Sequence, residues 1–85
     1  LHGYLTTYTS PHQQHVNFVS ASDRHIYELF FDNVNWHARD LTKVPVPPAP
    51  LPVAGSQLTG YETTWNHQEH VDYIGADGHL YELFL

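Results

Sequence analysis

The sequence predicts an all-β protein built from two copies of one antiparallel unit, and three observations support this prediction. Residues 25–31 recur as residues 79–85 at a constant offset of 54, with five of the seven positions identical. The repeated segments are short, rich in aromatic and β-branched residues, and bounded by turn residues, as strands are. No segment shows the start signal or the 3.6-residue periodicity of an α-helix. The predicted class is therefore all-β.

The repeat extends through most of each unit. Residues 15–19 match residues 70–74 at an offset of 55, and residues 1–7 match residues 58–64 at an offset of 57. The small changes in offset correspond to differences in the length of the intervening turns. Repeats of this length are typical of stacked or radially arranged units, each of which cannot bury its apolar faces alone.

Turn residues and prolines divide the chain into three regions. Residues 1–42 form a first unit of four strands, residues 43–57 form a proline-rich linker, and residues 58–85 form a second unit. Because proline cannot donate to a strand ladder, the linker is predicted to be extended and partly polyproline-like. The second unit ends before the counterpart of the fourth strand, so its last strand is missing. The seven predicted strands are residues 3–9, 15–20, 25–31, 36–42, 60–65, 70–75 and 79–85.

Both faces of the predicted strands are largely apolar. In the third strand, Ile26, Glu28 and Phe30 share one face, and Tyr27 and Leu29 lie on the other. A β-sandwich normally leaves one face of each sheet polar, whereas a propeller blade packs between two neighbouring sheets. We therefore predict two four-stranded propeller blades, the second without its last strand. Two blades do not close a ring, so the chain is expected to assemble head to tail as a homo-oligomer, with a trimer favoured.

Composition excludes several classes of function. The 3 Lys+Arg residues against 9 Asp+Glu residues give a formal net charge of -6, so the basic surface that nucleic acids require is missing. An anionic membrane surface is disfavoured for the same reason, and no apolar run reaches the roughly 20 residues of a membrane-spanning helix. The absence of cysteine excludes a disulfide framework and a thiolate zinc site, and leaves the compartment open.

The most specific motif lies in residues 28–36. It places Glu28, the aromatic–acid pair Phe31 and Asp32, and Trp36 at fixed spacing. This motif resembles the Glu-x-x-Trp-Asp-Gly-x-Gly-Trp signature of the fucose-binding β-propeller lectins, which include the fungal Aleuria type and small bacterial relatives whose two-blade chains trimerise. The strand around Glu28, followed by the segment from Trp36, is also similar to the repeats of the seven-bladed bacterial lectins of the Photorhabdus type. The resemblance implies a non-catalytic carbohydrate-binding protein, with a glycan such as a fucose-like sugar held between adjacent blades.

The same resemblance implies which residues bind the sugar. Glu28 and Glu82 match the family's glutamate, whose carboxylate accepts from two neighbouring sugar hydroxyls. Trp36 matches the family's tryptophan, which stacks on the apolar face of the sugar. The family's arginine has no direct match, and the residues nearest its place are Arg24, His15 and His70. The remaining aromatic candidates are Tyr27, Tyr81 and Trp65, for which core packing is the structural alternative.

Histidine is abundant, and its spacing raises the question of a metal site. The motif His-x-x-His occurs at residues 12–15 and again at residues 67–70. Zinc usually takes three or four protein ligands, and a carboxylate would be needed beside each histidine pair. Glu69 aligns with Gln14, so no carboxylate recurs at that place in both copies. The sequence therefore predicts no metal and no cofactor, and assigns the histidines to turns and strand ends.

Two further interpretations concern the chain as a whole. No nucleophile–base pair is present, and Glu28 and Glu82 occupy equivalent places in different blades, so a glycosidase pair and enzymatic activity are not predicted. The alternative to sugar binding is a propeller that serves only as a scaffold or as a ring for protein interactions.

Overall fold

The computed structural model describes residues 1–7, 9–10 and 12–85, and these form two antiparallel β-meanders. The first sheet has four strands in the order β1-β2-β3-β4, and the second has three in the order β5-β6-β7. The strands are β1 (His2–Thr6), β2 (Gln13–Val19), β3 (Ile26–Phe31), β4 (Trp36–Asp40), β5 (Thr59–Thr63), β6 (Gln68–Ile74) and β7 (Leu80–Phe84). The all-β class and the two units of four and three strands are therefore confirmed.

Several strand boundaries differ from the prediction. β2 and β6 begin at residues 13 and 68 rather than at 15 and 70, because their first residues pair with the ends of β1 and β5. β4 ends at Asp40 rather than at Thr42, because the Asp40 carboxylate accepts a hydrogen bond from the Thr42 amide. That cap starts a single 3-10 turn at Leu41–Lys43. Tyr8, in the predicted first strand, and Pro11, in the following turn, lie outside the described residues.

Helical structure is minimal in the described part of the chain. It holds no helix that is long and apolar enough to cross a membrane.

The hairpins that join β2 to β3 and β6 to β7 share one turn chemistry. Oδ1 of Asp23 accepts from the His25 amide, and Oδ1 of Asp77 accepts from the His79 amide, both at 3.0 Å. The residue between each pair has a positive φ, 61° in the first copy and 84° in the second, where it is a glycine. Such Asx-turns are set by local sequence, so the repeated sequence gives a repeated hairpin.

The proline-rich segment follows the second sheet closely. Pro52 forms an isolated antiparallel bridge with Gly75, just past the end of β6. The Val53 amide donates to the Ile74 carbonyl and the Ala76 amide donates to the Leu51 carbonyl, both at 2.9 Å. The prolines themselves provide only acceptors here, as their missing N–H requires. The segment is therefore fixed to the sheet through amides of its non-proline residues and through carbonyls, including that of Pro50, which accepts from the Tyr73 hydroxyl at 2.6 Å.

The two sheets pack in the same orientation, the front of the first against the back of the second. We define the front face as the one that carries a Tyr, a His and a Glu in each sheet. These residues are Tyr4, His15 and Glu28 in the first sheet, and Tyr61, His70 and Glu82 in the second. β1 and β5, the first strand of each unit, lie against one another. The packing is thus head to tail, since equivalent faces do not meet.

The apolar core forms between the two sheets. Ile26 on the front of the first sheet is fully buried against the back of the second. Leu41 fills the end of the core from the 3-10 turn, and Thr42 beside it accepts from the Ile26 amide at 2.8 Å. The other members of the core come from the second unit and are Leu58, Val71, Tyr73 and Leu83.

One face of each sheet stays open in the single chain. The back of the first sheet exposes Leu5, Leu29 and Trp36, and the front of the second exposes Ile74, Leu80 and Phe84. The sequence led us to expect both faces of each strand to be covered. Two blades alone were expected to leave one apolar face open at each end, and the single chain has these open faces because each sheet has only one neighbour. Their burial by further copies stays a prediction.

The turn between β3 and β4 contains a carboxylate, Asp32, that makes the stability of the fold depend on pH in the acid range. Oδ1 of Asp32 accepts from the amides of Asn35 and Val34 at 2.7 and 2.8 Å, and Oδ2 lies 2.7 Å from Nε2 of His37. These contacts, the Asn35 amide first, lower the pKa of Asp32 to about 2. Because this folded-state value lies below that of an unfolded aspartate, the carboxylate stabilises the fold above about pH 4, and this stabilisation is lost as the pH falls towards 2.

Asp32→Asn is the matched variant, since an amide oxygen still accepts from the turn but does not ionise. We expect the free energy of unfolding of the native chain to exceed that of the variant near neutral pH. The difference should shrink between about pH 4 and pH 2, while all other carboxylates contribute equally to both proteins. Urea denaturation at a series of pH values measures it, and a difference that stays constant down to pH 2 would contradict the assignment.

Candidate functional site

A polar cavity of about 110 Å³ lies between the two sheets, at their edge. It forms where the front of β2, β3 and β4 faces the start of β6. The side chains that line it are Gln13, His15, Glu28, Phe30, Arg39 and Glu69. A charged cavity at the junction of two repeats is the strongest candidate site in the described residues.

His15 and Glu28 form the floor of the cavity. They lie on adjacent strands, and His15 Nδ1 is 3.3 Å from Glu28 Oε1, with both side chains only 1% exposed. The other ring nitrogen, Nε2, is 3.0 Å from the hydroxyl of Thr6 on β1. Neither His15 Nδ1 nor Glu28 Oε1 has a hydrogen-bond partner of good geometry. Unpartnered polar atoms are costly in a protein interior, and these two atoms are available to a ligand that enters the cavity.

Glu69 reaches the same place from the second sheet. Its Oε2 is 3.5 Å from His15 Nδ1, and the Tyr4 hydroxyl lies 3.1 Å from this oxygen and 3.2 Å from Oε2 of Glu28. A phenol has a single hydrogen, so Tyr4 cannot donate to both carboxylates at once. The cluster therefore accommodates a proton or a cation between the two acids.

The two glutamates differ in charge. Burial, and then the neighbouring Glu28 carboxylate, raise the pKa of Glu69 well above that of an ordinary glutamate. Burial would also raise the pKa of Glu28, but contacts from His15 and Glu69, together with the charge of His15, hold it below its usual range. The first proton taken up by the pair therefore resides on Glu69, and Glu28 stays ionised.

Arg39 and Phe30 shape the mouth of the cavity. Arg39 lies opposite Glu28 in the β3–β4 register, and its guanidinium is 3.6 Å from Glu28 Oε1 with 43% of the side chain exposed. The Phe30 ring stacks between His15 and His37, at centroid distances of 5.9 and 4.9 Å. The mouth thus presents a cation and an aromatic surface beside a buried carboxylate.

The second repeat carries the same cluster without a cover. The Tyr61 hydroxyl donates to Glu82 Oε2 at 2.9 Å, His70 Nδ1 lies 3.3 Å from Glu82 Oε1, and His70 Nε2 lies 2.9 Å from the Thr63 hydroxyl. These distances reproduce those of the first copy. Glu82 is 41% exposed, because no other sheet packs on this face within the chain.

The sequence-predicted residues fall in different places. Glu28 lies in the cavity and Glu82 in the open cluster of the second repeat. Tyr27 and Trp36 lie on the back face of the first sheet, opposite to Glu28. The guanidinium of Arg24 lies in the β2–β3 hairpin and donates to the Pro52 carbonyl at 3.3 Å.

The other two aromatic candidates also lie away from the cavity. Tyr81 is on the back of the second sheet, where its ring stacks on that of Tyr73 at a centroid distance of 5.9 Å. Trp65 is 81% exposed in the turn between β5 and β6. The fold therefore does not bring the six aromatic and charged candidates around one Glu28 site within a single chain.

The sequence analysis did not identify four of the residues that line the cavity, namely Gln13, Phe30, Arg39 and Glu69. Arg39 could have been found, because pairing β3 with β4 across the Asp32 turn sets it opposite Glu28. Glu69 could not, because it has no acidic counterpart in the first copy and joins the cavity only through sheet packing.

This chain matches no protein-family profile, no curated protein and no solved structure, so its function is inferred from the fold and the site.

Proposed function

We propose that the chain is a non-catalytic carbohydrate-binding protein of the propeller-blade type, with sugar sites in the grooves between adjacent sheets. The observation that carries this proposal is the inter-sheet cavity, which combines an ionised carboxylate, a guanidinium and an aromatic ring at one mouth. Carboxylates and guanidinium groups bind sugar hydroxyls through charge-assisted hydrogen bonds. His15 and His37 stack on either side of the Phe30 ring, so this ring would meet the C–H groups of a sugar with its edge.

The cavity is too small to enclose a whole sugar ring. A volume of about 110 Å³ admits one edge of a monosaccharide rather than the whole ring. Arg39 and Phe30 would contact the sugar first. A hydroxyl that reaches inward would meet the Glu28 carboxylate, whose Oε1 lies 3.3 Å from His15 Nδ1 and 3.6 Å from the Arg39 guanidinium. Single sites of this kind bind weakly, so avidity would come from several sites in one assembly.

The position of Tyr4 supports binding without hydrolysis. A retaining glycosidase holds its two carboxyl groups about 5–5.5 Å apart with the glycosidic bond between them. Here the Tyr4 hydroxyl occupies the space between Glu28 and Glu69, within 3.2 and 3.1 Å of their oxygens. A glycosidic oxygen has no access to both acids.

Assembly of several chains is the second part of the proposal. The open front of the second sheet would accept the open back of the first sheet of another copy, repeating the packing seen within the chain. Gly60 on the back of the second sheet makes room for Tyr4, and Gly3 occupies the matching place on the open back of the first sheet. Tyr61 of a neighbouring copy would fit over Gly3 as Tyr4 fits over Gly60. Repetition of this contact gives a closed ring or an open stack. The trimer formed by the two-blade lectins that the sequence resembles is one such closed ring.

Assembly would also complete a second sugar site. The back face that covers Glu82 in this arrangement carries Tyr27, Trp36 and Gln14. Gln14 would take the place that Glu69 has in the first cavity. The second site would also have Asp72 beside Glu82, where the first repeat has Asn17, and, among the described residues, no counterpart of Arg39. This arrangement would bring the face that carries Trp36 to Glu82, across two chains. Tyr27 would stay away from Glu82, as its counterpart Tyr81 lies away from the Glu28 cavity.

Sugar binding is tested by calorimetry with monosaccharides, beginning with L-fucose, followed by a glycan array. We expect Arg39→Ala to weaken binding by about 10- to 100-fold, because a hydrogen bond to a charged group is worth about 1.5–3 kcal/mol. Lys43→Ala removes the same charge from an exposed position outside the cavity and should leave affinity unchanged.

Arg24→Ala tests which arginine contacts the sugar, Arg24 as the sequence suggests or Arg39, which lines the cavity. Loss of binding in Arg24→Ala, with Arg39→Ala unaffected, would favour the residue suggested by the sequence over that suggested by the cavity. Absence of binding to every sugar tested would remove the proposal and leave the scaffold interpretation.

A further inference from the structure

The cavity floor has a second property, which concerns the spacing of its ligand atoms. His15 Nδ1 lies 3.3 Å from Glu28 Oε1 and 3.5 Å from Glu69 Oε2. These three atoms all lie within 4.8 Å of one another. One imidazole nitrogen and two carboxylate oxygens thus converge from three strands.

The two separations from His15 Nδ1, 3.3 and 3.5 Å, match the edges of a tetrahedral zinc site. With metal–ligand bonds of about 2.0–2.2 Å, the ligand atoms of tetrahedral Zn²⁺ lie about 3.3–3.6 Å apart. Octahedral Mg²⁺, with bonds of about 2.0–2.1 Å, needs neighbouring ligands only about 2.8–3.0 Å apart and prefers oxygen to imidazole. Imidazole with carboxylates is a ligand set that zinc accepts.

The groups around the three ligands hold them in a binding-competent form. Nε2 of His15 lies 3.0 Å from the Thr6 hydroxyl, so a proton on Nε2 leaves Nδ1 as the free lone pair. The Tyr4 hydroxyl contacts Oε2 of Glu28 and leaves Oε1 available. Partners of this kind fix the tautomer and orientation of metal ligands.

Burial supplies an independent argument. The side chains of His15 and Glu28 are 1% exposed and that of Glu69 is 11% exposed, yet Nδ1 and Oε1 have no hydrogen-bond partner. Placing two carboxylates side by side in a chain of net charge -6 is unfavourable unless a cation compensates them. The permanently charged side chain beside Glu28 is that of Arg39, which is 3.6 Å from Oε1 and is partly solvated.

We propose that His15, Glu28 and Glu69 bind one divalent cation of the zinc class, at the junction of the two repeats. The sequence predicted no metal, because Glu69 aligns with Gln14 and no carboxylate recurs. The fold supplies the third ligand from the other repeat, so the site exists only where the second sheet covers the first. A fourth position faces the cavity and is free for water.

The second repeat provides an internal contrast. His70 and Glu82 hold the same mutual spacing, 3.3 Å, but have no counterpart of Glu69. If another copy covers this face, Gln14 contributes a neutral amide there. The site is therefore expected once per chain, with or without assembly.

Zn²⁺ titration of the full chain by calorimetry, without sugar, tests the proposal separately from glycan binding. Glu69→Gln is the key variant, because the first repeat already carries glutamine at the matching position. We expect one Zn²⁺ per chain in the native protein, a rise in melting temperature with Zn²⁺, and affinity at least about 10-fold lower in Glu69→Gln. With Co²⁺, the native protein should show the intense visible absorption of tetrahedral coordination, and the variant should lose it.

Asp23→Asn is the control for surface histidines. Asp23, His25 and Asp40 form the other three-residue cluster of metal-ligand spacing in the described residues, but His25 Nδ1 is already 2.7 Å from Asp40 and the cluster is partly exposed. Zn²⁺ binding should be unchanged in this variant. No Zn²⁺ binding at micromolar concentration, native affinity in Glu69→Gln, or loss of binding in Asp23→Asn would each overturn the proposal.

Discussion

Leu83→Ala is expected to lower the free energy of unfolding of the single chain by about 2–5 kcal/mol, because it leaves a cavity in the packed core. Leu83 is 6% exposed on the back of the second sheet, where the first sheet covers it together with Val71 and Tyr73. Urea denaturation followed by tryptophan fluorescence, at a protein concentration where assembly is absent, measures the change.

Leu29→Ala is the matched control. Leu29 holds the same place in the first repeat, at an offset of 54, but lies on the open back face with 37% of its surface exposed. Its truncation should change the stability of the dilute chain far less than that of Leu83. If this face meets the next copy, as proposed, the truncation should instead weaken self-association, measured by sedimentation or light scattering. Equal destabilisation by the two substitutions would contradict the front-to-back packing.

Gly60→Ala is expected to destabilise the chain by about 1–3 kcal/mol through overpacking. A Cβ at residue 60 would lie 2.6 Å from Cδ1 of Tyr4 and 2.7 Å from Nδ2 of Asn17. Both neighbours belong to the first sheet, so the two sheets must move apart to accept it. Thermal unfolding of the variant and the native chain, at equal low concentration, gives the shift.

Gly3→Ala tests the same contact between copies. At Gly3 the nearest atom to an added Cβ is a backbone oxygen at 3.6 Å, an ordinary contact, so the single chain should tolerate the methyl group. If Tyr61 of another copy packs over Gly3, the variant should assemble more weakly than the native chain. Assembly that is unaffected by both Gly3→Ala and Leu29→Ala would remove the head-to-tail arrangement, while leaving the fold of the chain intact.

The parts of the fold that depend on neighbouring residues were predictable. The Asx-turns at Asp23 and Asp77 and the alternation in β3 gave the hairpins and the two faces. The end of β4 was misplaced, because the capping role of Asp40 depends on its side chain turning back to the Thr42 amide. Strand type thus followed from pattern, whereas strand ends depended on individual side chains.

The residues of the candidate site could be predicted from the sequence only in part. Glu28 was found because repetition singled it out, and Arg39 was within reach of the β3–β4 register. The position of Trp36 on the opposite face also follows from alternation. Arg39 pairs with Glu28 on the same face, and Trp36 lies an odd number of residues, three, before Arg39 on β4. Glu69 required knowledge of which sheet face meets which.

The sequence alone therefore determined an all-β chain with two related meanders, since periodicity and turn chemistry act over a few residues. The tertiary structure decided that the front of one repeat packs on the back of the other, and so brought Glu69 to His15 and Glu28. That choice depends on shape and burial between strands far apart along the chain, since Glu69 is 41 residues from Glu28 and 54 from His15. No local pattern encodes it, because the same residues recur in the second repeat, where the corresponding cluster remains open.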